Sequence, residues 1–302
     1  EIAGDAGKLR PHVKTHKLAE IIRMQLKRGV NKFKCATLAE MEMVAGAGAG
    51  DVLLAYQPVG PNIARLRALA DKFPDTRFAA VADNAAVVTA LSEAFEGAVK
   101  PLDLYLDLDC GMHRTGVGPG PEAVSVYRVF VKSPNVQAAG LHVYDGHIHD
   151  HPLEERRARC EAAFAPILEF RAELETANLP VPNMVASGTP TFGIHARNDD
   201  RECSPGTTVL WDFGYGGNYE DLQFQWAALL LTRVISKPGP NRLCLDLGHK
   251  AVAADKPQPR VKLLGLPDAN PEVHSEEHLM VETDAAGDFA VGDCLYAVPA
   301  HI

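Results

Sequence analysis

The sequence predicts an α/β protein, a (β/α)8 TIM barrel followed by a smaller C-terminal β domain. Three observations predict it. Short apolar runs alternate with helical spacers through roughly the first two hundred residues. The alternation stops near Gly216, and beyond it strand-like runs follow one another with only turn residues between them.

In chain order, strands are expected near Leu9–His16, Lys32–Thr37, Asp51–Gln57, Arg77–Asp83, Leu102–Asp109, Ala138–Tyr144, Pro182–Ser187 and Thr207–Asp212. Each is a short apolar run bounded by turn residues. Amphipathic spacing places helices between them at Leu18–Arg28, Leu38–Ala45, Pro61–Lys72, Ala85–Phe95, Pro121–Val131 and Pro152–Ala177. Eight strands separated in this way fit a closed barrel better than an open sheet. The barrel is expected over 1–216 and the β domain over 217–302. Strands of the latter are expected near Phe224–Ser236, Arg242–Leu247, Arg260–Leu264, His278–Thr283 and Cys294–Pro299. The chain starts at Glu1 without a methionine and stops directly after a strand-like segment, so both ends are expected to be trimmed.

With 302 residues, 46% hydrophobic and 23% charged, the chain can bury a large core. A net charge of -9 without a long Lys/Arg cluster argues against nucleic acid and anionic membranes and for a small-molecule partner. The six cysteines show no CxxC spacing, so neither a disulfide framework nor a zinc knuckle is expected, and a reducing cytoplasm fits. No apolar run spans a bilayer, and the N-terminus does not read as a signal peptide.

The most informative stretch is Arg10-Pro11-His12-Val13-Lys14-Thr15-His16-Lys17. As an extended strand it points Arg10, His12, Lys14 and His16 to one side. Burying that much positive charge calls for an anion opposite. A lysine with a lowered pKa beside other cations is also an amine prepared for Schiff-base chemistry, and pyridoxal phosphate is both aldehyde and anion. The plainer alternative is a solvated basic edge strand.

Function in a barrel belongs at the C-terminal ends of its strands. The fifth strand reads LDLYLDLD, with leucines toward the outer helices and Asp103, Tyr105, Asp107 and Asp109 inside, where they can balance the basic strand. It runs into the glycine-containing turn Cys110–Val117, which carries Arg114. The sixth ends in HVYDGHIH, collecting His142, Tyr144, His147 and His149 at one mouth. The seventh ends in Ser187-Gly188-Thr189, donors suited to a phosphate, and the eighth leads into the glycine-rich turn Asp212–Gly217.

Taken in order, RPHVKTHK, LDCGMHRTGV, YDGH, SGTPT, SPGTTVLWD and YAVPAHI resemble the D-threonine aldolase and D-serine dehydratase group of fold-type III, alanine racemase-like enzymes. The resemblance covers essentially the whole chain, and RPHVKTHK is its specific part. It implies pyridoxal phosphate at the barrel mouth, a β domain completing the site, a homodimer, and a divalent metal (Zn, Mn or Mg). Carried over position by position, Lys14 becomes the Schiff-base lysine and Arg114 the arginine at the pyridine hydroxyl. Ser187, Gly188 and Thr189 hold the phosphate with help from Gly214 and Tyr215, and His12, Tyr144 and Asp212 join the cofactor-binding set. His301 becomes the first metal ligand, its partner lying beyond Ile302.

The implied reaction is lysis of a D-β-hydroxy-α-amino acid. Retro-aldol cleavage to glycine and an aldehyde, with His142, His147 or His149 as base, stands ahead of elimination to a keto acid and ammonia. Two other readings are an amino-acid racemase using Lys14 and a tyrosine without metal, and a non-catalytic pyridoxal-phosphate-binding protein. The terminal PAHI counts against the first and the residues after Gly216 against the second.

Overall fold

The computed structural model describes all 302 residues, which form two compact units, Glu1–Gly206 and Thr207–Ile302. In the first, seven parallel strands lie side by side in chain order: β1 (Lys32–Cys35), β2 (Asp51–Leu54), β3 (Arg77–Ala82), β4 (Leu102–Leu108), β5 (Val136–Val143), β6 (Asn183–Ala186) and β7 (Glu202–Cys203). Helices α1 (Ala19–Leu26), α2 (Leu38–Gly46), α3 (Pro61–Lys72), α4 (Ala85–Ala94), α5 (Pro121–Lys132), α6 (Leu153–Thr176) and α7 (Phe192–His195) alternate with them.

The segment expected as the first strand is extended only to His12. Leu9 bridges Cys203 of β7 and His12 bridges Lys34 of β1. The Arg10 N–H donates to Cys203 O at 2.8 Å, and the Lys34 N–H to Pro11 O at 3.0 Å. This segment thus closes the curled sheet as its eighth stave, the TIM-barrel arrangement expected from the sequence. Past His12 the strand reading needs correction, because Val13–Thr15 is a 3₁₀ turn in which the His12 ring accepts the Lys14 N–H. The basic face therefore does not continue through Lys14 and His16.

The eighth strand also needs correction. The stave following β6 is Glu202–Cys203, whereas Thr207–Val209 is a 3₁₀ turn. Trp211 adopts a φ of +58°, and Asp212 caps α8 (Phe213–Asn218) by accepting the Tyr215 N–H at 2.8 Å, so the apolar run bends instead of extending. Trp211 packs on Tyr215 and Phe224, with ring centroids 5.9 and 5.0 Å away, which ties this stretch to the second unit.

Three interior layers follow from strand alternation. At the N-terminal end, Arg10 pairs with Glu202 and Asp51, Lys32 with Glu202, and Arg77 with Asp103. Arg10 is thus neutralised at the opposite end from the mouth, by acids of β2 and β7 and not by the acidic strand β4. The middle layer is apolar: Leu53, Ala79, Val81, Tyr105, Ala139 and Val185. The C-terminal layer is polar and holds the candidate site. Outside, Leu102, Leu104, Leu106 and Leu108 pack into the core beneath the helices, as the alternation of LDLYLDLD requires.

The second unit holds α8 and a six-stranded antiparallel sheet of β8 (Leu230–Gly239), β9 (Arg242–Leu245), β10 (Val261–Leu263), β11 (Asn270–His274), β12 (Leu279–Glu282) and β13 (Cys294–Pro299), ordered β10-β13-β8-β9-β12-β11. Its core is built on Val234, Leu243, Leu245, Leu263, Val281 and Ala297. The sequence misses β11, an edge strand of mixed composition with a proline, because such a strand needs no apolar face.

Candidate active site

Adjacent registers build the polar layer. Asp107 of β4 lies opposite His142 of β5, and both are buried with His142 Nδ1 2.7 Å from Asp107 Oδ1. Burial and the neighbouring Lys34 lower the His142 pKa, against the raising effect of Asp107. Lys34, brought beside His12 by the closing bridge, places Nζ 3.5 Å from His142 Nε2 and 5.7 Å from the centre of the Tyr144 ring. Sequence reasoning missed Lys34. Its signal was present: a charged residue between Phe33 and Cys35 repeats the inward alternation that marks Asp107.

Lys14 stands just past the closing segment on the 3₁₀ turn, an exposed residue whose backbone N–H meets His12 Nδ1 at 3.3 Å. Partial burial of its amine and the charge of Arg114 lower its pKa, while Glu40 opposes them. His12 is held neutral by burial and by Lys34 and Lys14. Arg114 rides on a loop pinned at both ends. Asp109 accepts the N–H groups of Gly111 and His113 and meets the His113 ring, and Asp83 accepts the Gly116 N–H. The guanidinium carbon lies 5.1 Å above the Tyr144 ring, which packs so closely on Gly146 that a Cβ there would come within 2.3 Å of it.

The turn after β6 is held from behind. Ser187, with φ of +72°, is fully buried and accepts the Ser204 N–H; Thr189 accepts the Gly206 N–H. Asp145 Oδ1 takes the Gly188 N–H at 3.0 Å and the Thr191 hydroxyl at 2.9 Å, and Oδ2 meets His195 Nε2 at 2.8 Å. Burial opposes ionisation of Asp145, but these bonds outweigh it and lower its pKa. Ligand atoms of Asp145, Cys160 and His195 lie within 4.8 Å of one another, a spacing able to hold a metal ion. Arg201 donates to His195 Nδ1 at 3.2 Å, so the Nε2–H points at Asp145 and the trio supports the turn without an ion.

The three histidines proposed from sequence as bases differ in setting. His142 is deep in the barrel, and His149 is exposed with Nδ1 2.9 Å from His147 O. His147 is half-buried against Gly111, its pKa lowered by burial, and its buried Nδ1 has no hydrogen-bond partner.

Asp212, Gly214, Tyr215 and His301 gather around the chain end of the second unit. Asp212 Oδ2 accepts the Ile302 N–H at 3.3 Å, and burial raises its pKa. A Cβ at Gly214 would fall 2.2 Å from Ala300 O, so this close approach demands glycine. His301 Nδ1 lies 3.0 Å from Asp255, which fixes the ring.

With this geometry, residues 1–211 match the model of the alanine racemase N-terminal domain. The chain belongs to that family. Residues 227–302 match a serine dehydratase domain model. A D-threonine aldolase from Arthrobacter sp is 28% identical over 299 residues, covering 97% of this chain and 78% of that protein. A 3-hydroxy-D-aspartate aldolase from Paracoccus denitrificans (strain Pd 1222) is 29% identical over 307 residues, covering 97% and 77%. The crystal structure of D-threonine aldolase from Filomicrobium marinum superposes with a TM-score of 0.89 at 26% identity, over 99% of this chain and 82% of that one. The likeness read from RPHVKTHK and the later motifs thus holds along the whole chain. Membership of this alanine racemase-like group implies pyridoxal phosphate. The donor set fits it: an amine of lowered pKa, a guanidinium stacked on a phenol, and a rigid turn of small residues at one barrel mouth. No helix is long and apolar enough to cross a membrane.

Proposed function

We propose that the protein is a pyridoxal-phosphate- and divalent-metal-dependent lyase that cleaves D-β-hydroxy-α-amino acids to glycine and an aldehyde. The observation that carries this reading is the Lys14 amine, its pKa lowered beside Arg114, at the mouth of a barrel alike over its full length to D-threonine aldolase. When bound, the cofactor supplies an electron sink for the pair released as a bond to the substrate Cα breaks. Lys14 would bind its aldehyde, and Arg114, Tyr144 and His12 would hold the ring. Ser187, Gly188 and Thr189 form the phosphate seat, and we assign Asp212, Gly214 and Tyr215 to the same cofactor-binding set.

Among the histidines, His147 fits the base that takes the β-hydroxyl proton, because its ring is neutral and its Nδ1 is uncommitted. A divalent ion (zinc, manganese or magnesium) at His301 supplies Lewis acidity toward a hydroxyl. The Asp255 bond to Nδ1 supports this role, since it leaves Nε2 for the ion. We also infer a cytoplasmic homodimer. Leu231 and Tyr296, neighbours across β8 and β13, are 61% and 55% exposed, an apolar patch suited to a second copy. Incubation with D-threonine, D-serine and 3-hydroxy-D-aspartate tests the activity. Glycine plus aldehyde is expected; keto acid plus ammonia would move the assignment to the dehydratase, and neither product would remove it.

A further inference from the structure

The turn after β6 has its anchor outside itself. Thr191 stands at the start of α7, yet its hydroxyl does not cap that helix and donates instead to Asp145 Oδ1 at 2.9 Å. The Gly188 N–H goes to the same oxygen at 3.0 Å, and His195 Nε2–H reaches Oδ2 at 2.8 Å. A group that must accept from three donors has to be a carboxylate, since an amide would turn an N–H against one of them. Behind it, Arg201 donates to His195 Nδ1 at 3.2 Å, which fixes the tautomer and brings a cation to the far side of the ring. Asp145 and His195 are each 1% exposed, so water does not compete for these bonds.

Asp145 is also joined by one peptide bond to Tyr144, whose ring lies 5.1 Å from the Arg114 guanidinium carbon. The same ring packs on Gly188, where a Cβ would come 3.3 Å from Cε2. Gly188 thus meets two successive residues of the segment after β5, one through its N–H and one through its missing side chain. We propose that Asp145 is a positioning residue that fixes the phosphate seat relative to the groups holding the cofactor ring. It acts through Gly188 and Thr191, with His195 and Arg201 locking its carboxylate in place. This role rests on the 187–189 turn being the phosphate seat and on Arg114 and Tyr144 holding the ring. Without the carboxylate, the Gly188 N–H and the Thr191 hydroxyl lose their common acceptor, and the turn must be ordered by the ligand when it binds. That cost falls on pyridoxal phosphate and not on pyridoxal, which has the same ring and aldehyde but no phosphate.

The test compares those two compounds. Protein freed of cofactor is titrated with each, the visible absorption is followed, and the ratio of the two affinities is the readout. In Asp145→Asn the affinity for pyridoxal phosphate is expected to fall about tenfold or more, while that for pyridoxal stays within about threefold of wild type. His195→Leu is expected to move the ratio the same way, and His195→Gln, whose amide N–H can stand in for Nε2–H, to recover part of it. Equal losses for both compounds in Asp145→Asn would show a purely structural residue and overturn the proposal, as would unchanged affinity for pyridoxal phosphate. A ratio in His195→Gln as low as in His195→Leu would overturn the part assigned to His195. Should Asp145→Asn not fold, Thr191→Val, which removes one of the bonds at nearly constant size, decides by the same criterion. A ratio left untouched by replacing Ser187 and Thr189 together with alanine overturns the phosphate-seat reading instead.

Discussion

Lys14 and Lys17 are three positions apart and share the influence of Glu40, yet their surroundings separate them. Lys17, at a φ of +48°, places Nζ 3.6 Å from the Glu40 carboxylate and pairs with it. Lys14 faces Arg114, which favours the free amine. Lys14→Ala is therefore expected to abolish the visible absorption of the cofactor-loaded protein while Lys17→Ala keeps it; a colourless Lys17 variant would reverse the assignment. Lys34 carries the opposite kind of consequence, for stability. Its folded pKa of about 7 lies below the unfolded value, so between the two the unfolded chain holds more protons and wild-type stability rises with pH. Lys34→Met is accordingly expected to stabilise the fold by about 1–4 kcal/mol at pH 7, with the gain narrowing toward about pH 10. Thermal melts across that range check it, and a destabilised variant at pH 7 would show that the ammonium is better paired than its surroundings indicate.

Between β6 and β7, the 187–191 turn owes its shape to partners far away in sequence. Ser187 and Thr189 accept N–H groups from Ser204 and Gly206, while Asp145, at the end of β5, takes the Gly188 N–H. As a rigid seat such a turn can hold a dianion without further ordering. Replacing both Ser187 and Thr189 with alanine is expected to weaken pyridoxal-phosphate binding by tens of fold or more, about 1.5–3 kcal/mol per charge-assisted bond lost. Equilibrium titration measures it, and unchanged affinity would move the phosphate seat elsewhere.

For the molecule as a whole, the metal and the second copy are the assignments that reach beyond the barrel. Exhaustive chelation, or His301→Ala, is expected to abolish cleavage of D-β-hydroxy amino acids while leaving the visible absorption due to Lys14 largely intact. Full turnover without metal would return the racemase to first place. Leu231→Asp with Tyr296→Asp is expected to shift the sedimenting species from dimer to monomer, since these two side chains face solvent on neighbouring strands. A wild-type dimer that survives both changes has its interface on another face.

Much was legible without coordinates, because some signals are local. The period-two pattern of LDLYLDLD set which residues face inward, and the alternation of apolar runs with amphipathic spacers set the barrel. The motif string through YAVPAHI carried the family. What sequence could not supply depends on pairing between distant segments. The ring of His12 caps a 3₁₀ turn that ends the first extended segment early, and a positive φ at Trp211 bends what reads as an eighth strand. Arg10 finds Glu202 across the closing seam of the sheet, which turns an expected ligand-binding cation into a structural one. Lys34 shows the same limit from the other side. A lysine between two apolar residues reads as an ordinary strand position until barrel closure buries it beside His142, and that burial, with the charge of Lys14, lowers its pKa to about 7 against the pull of Asp107 and Asp145.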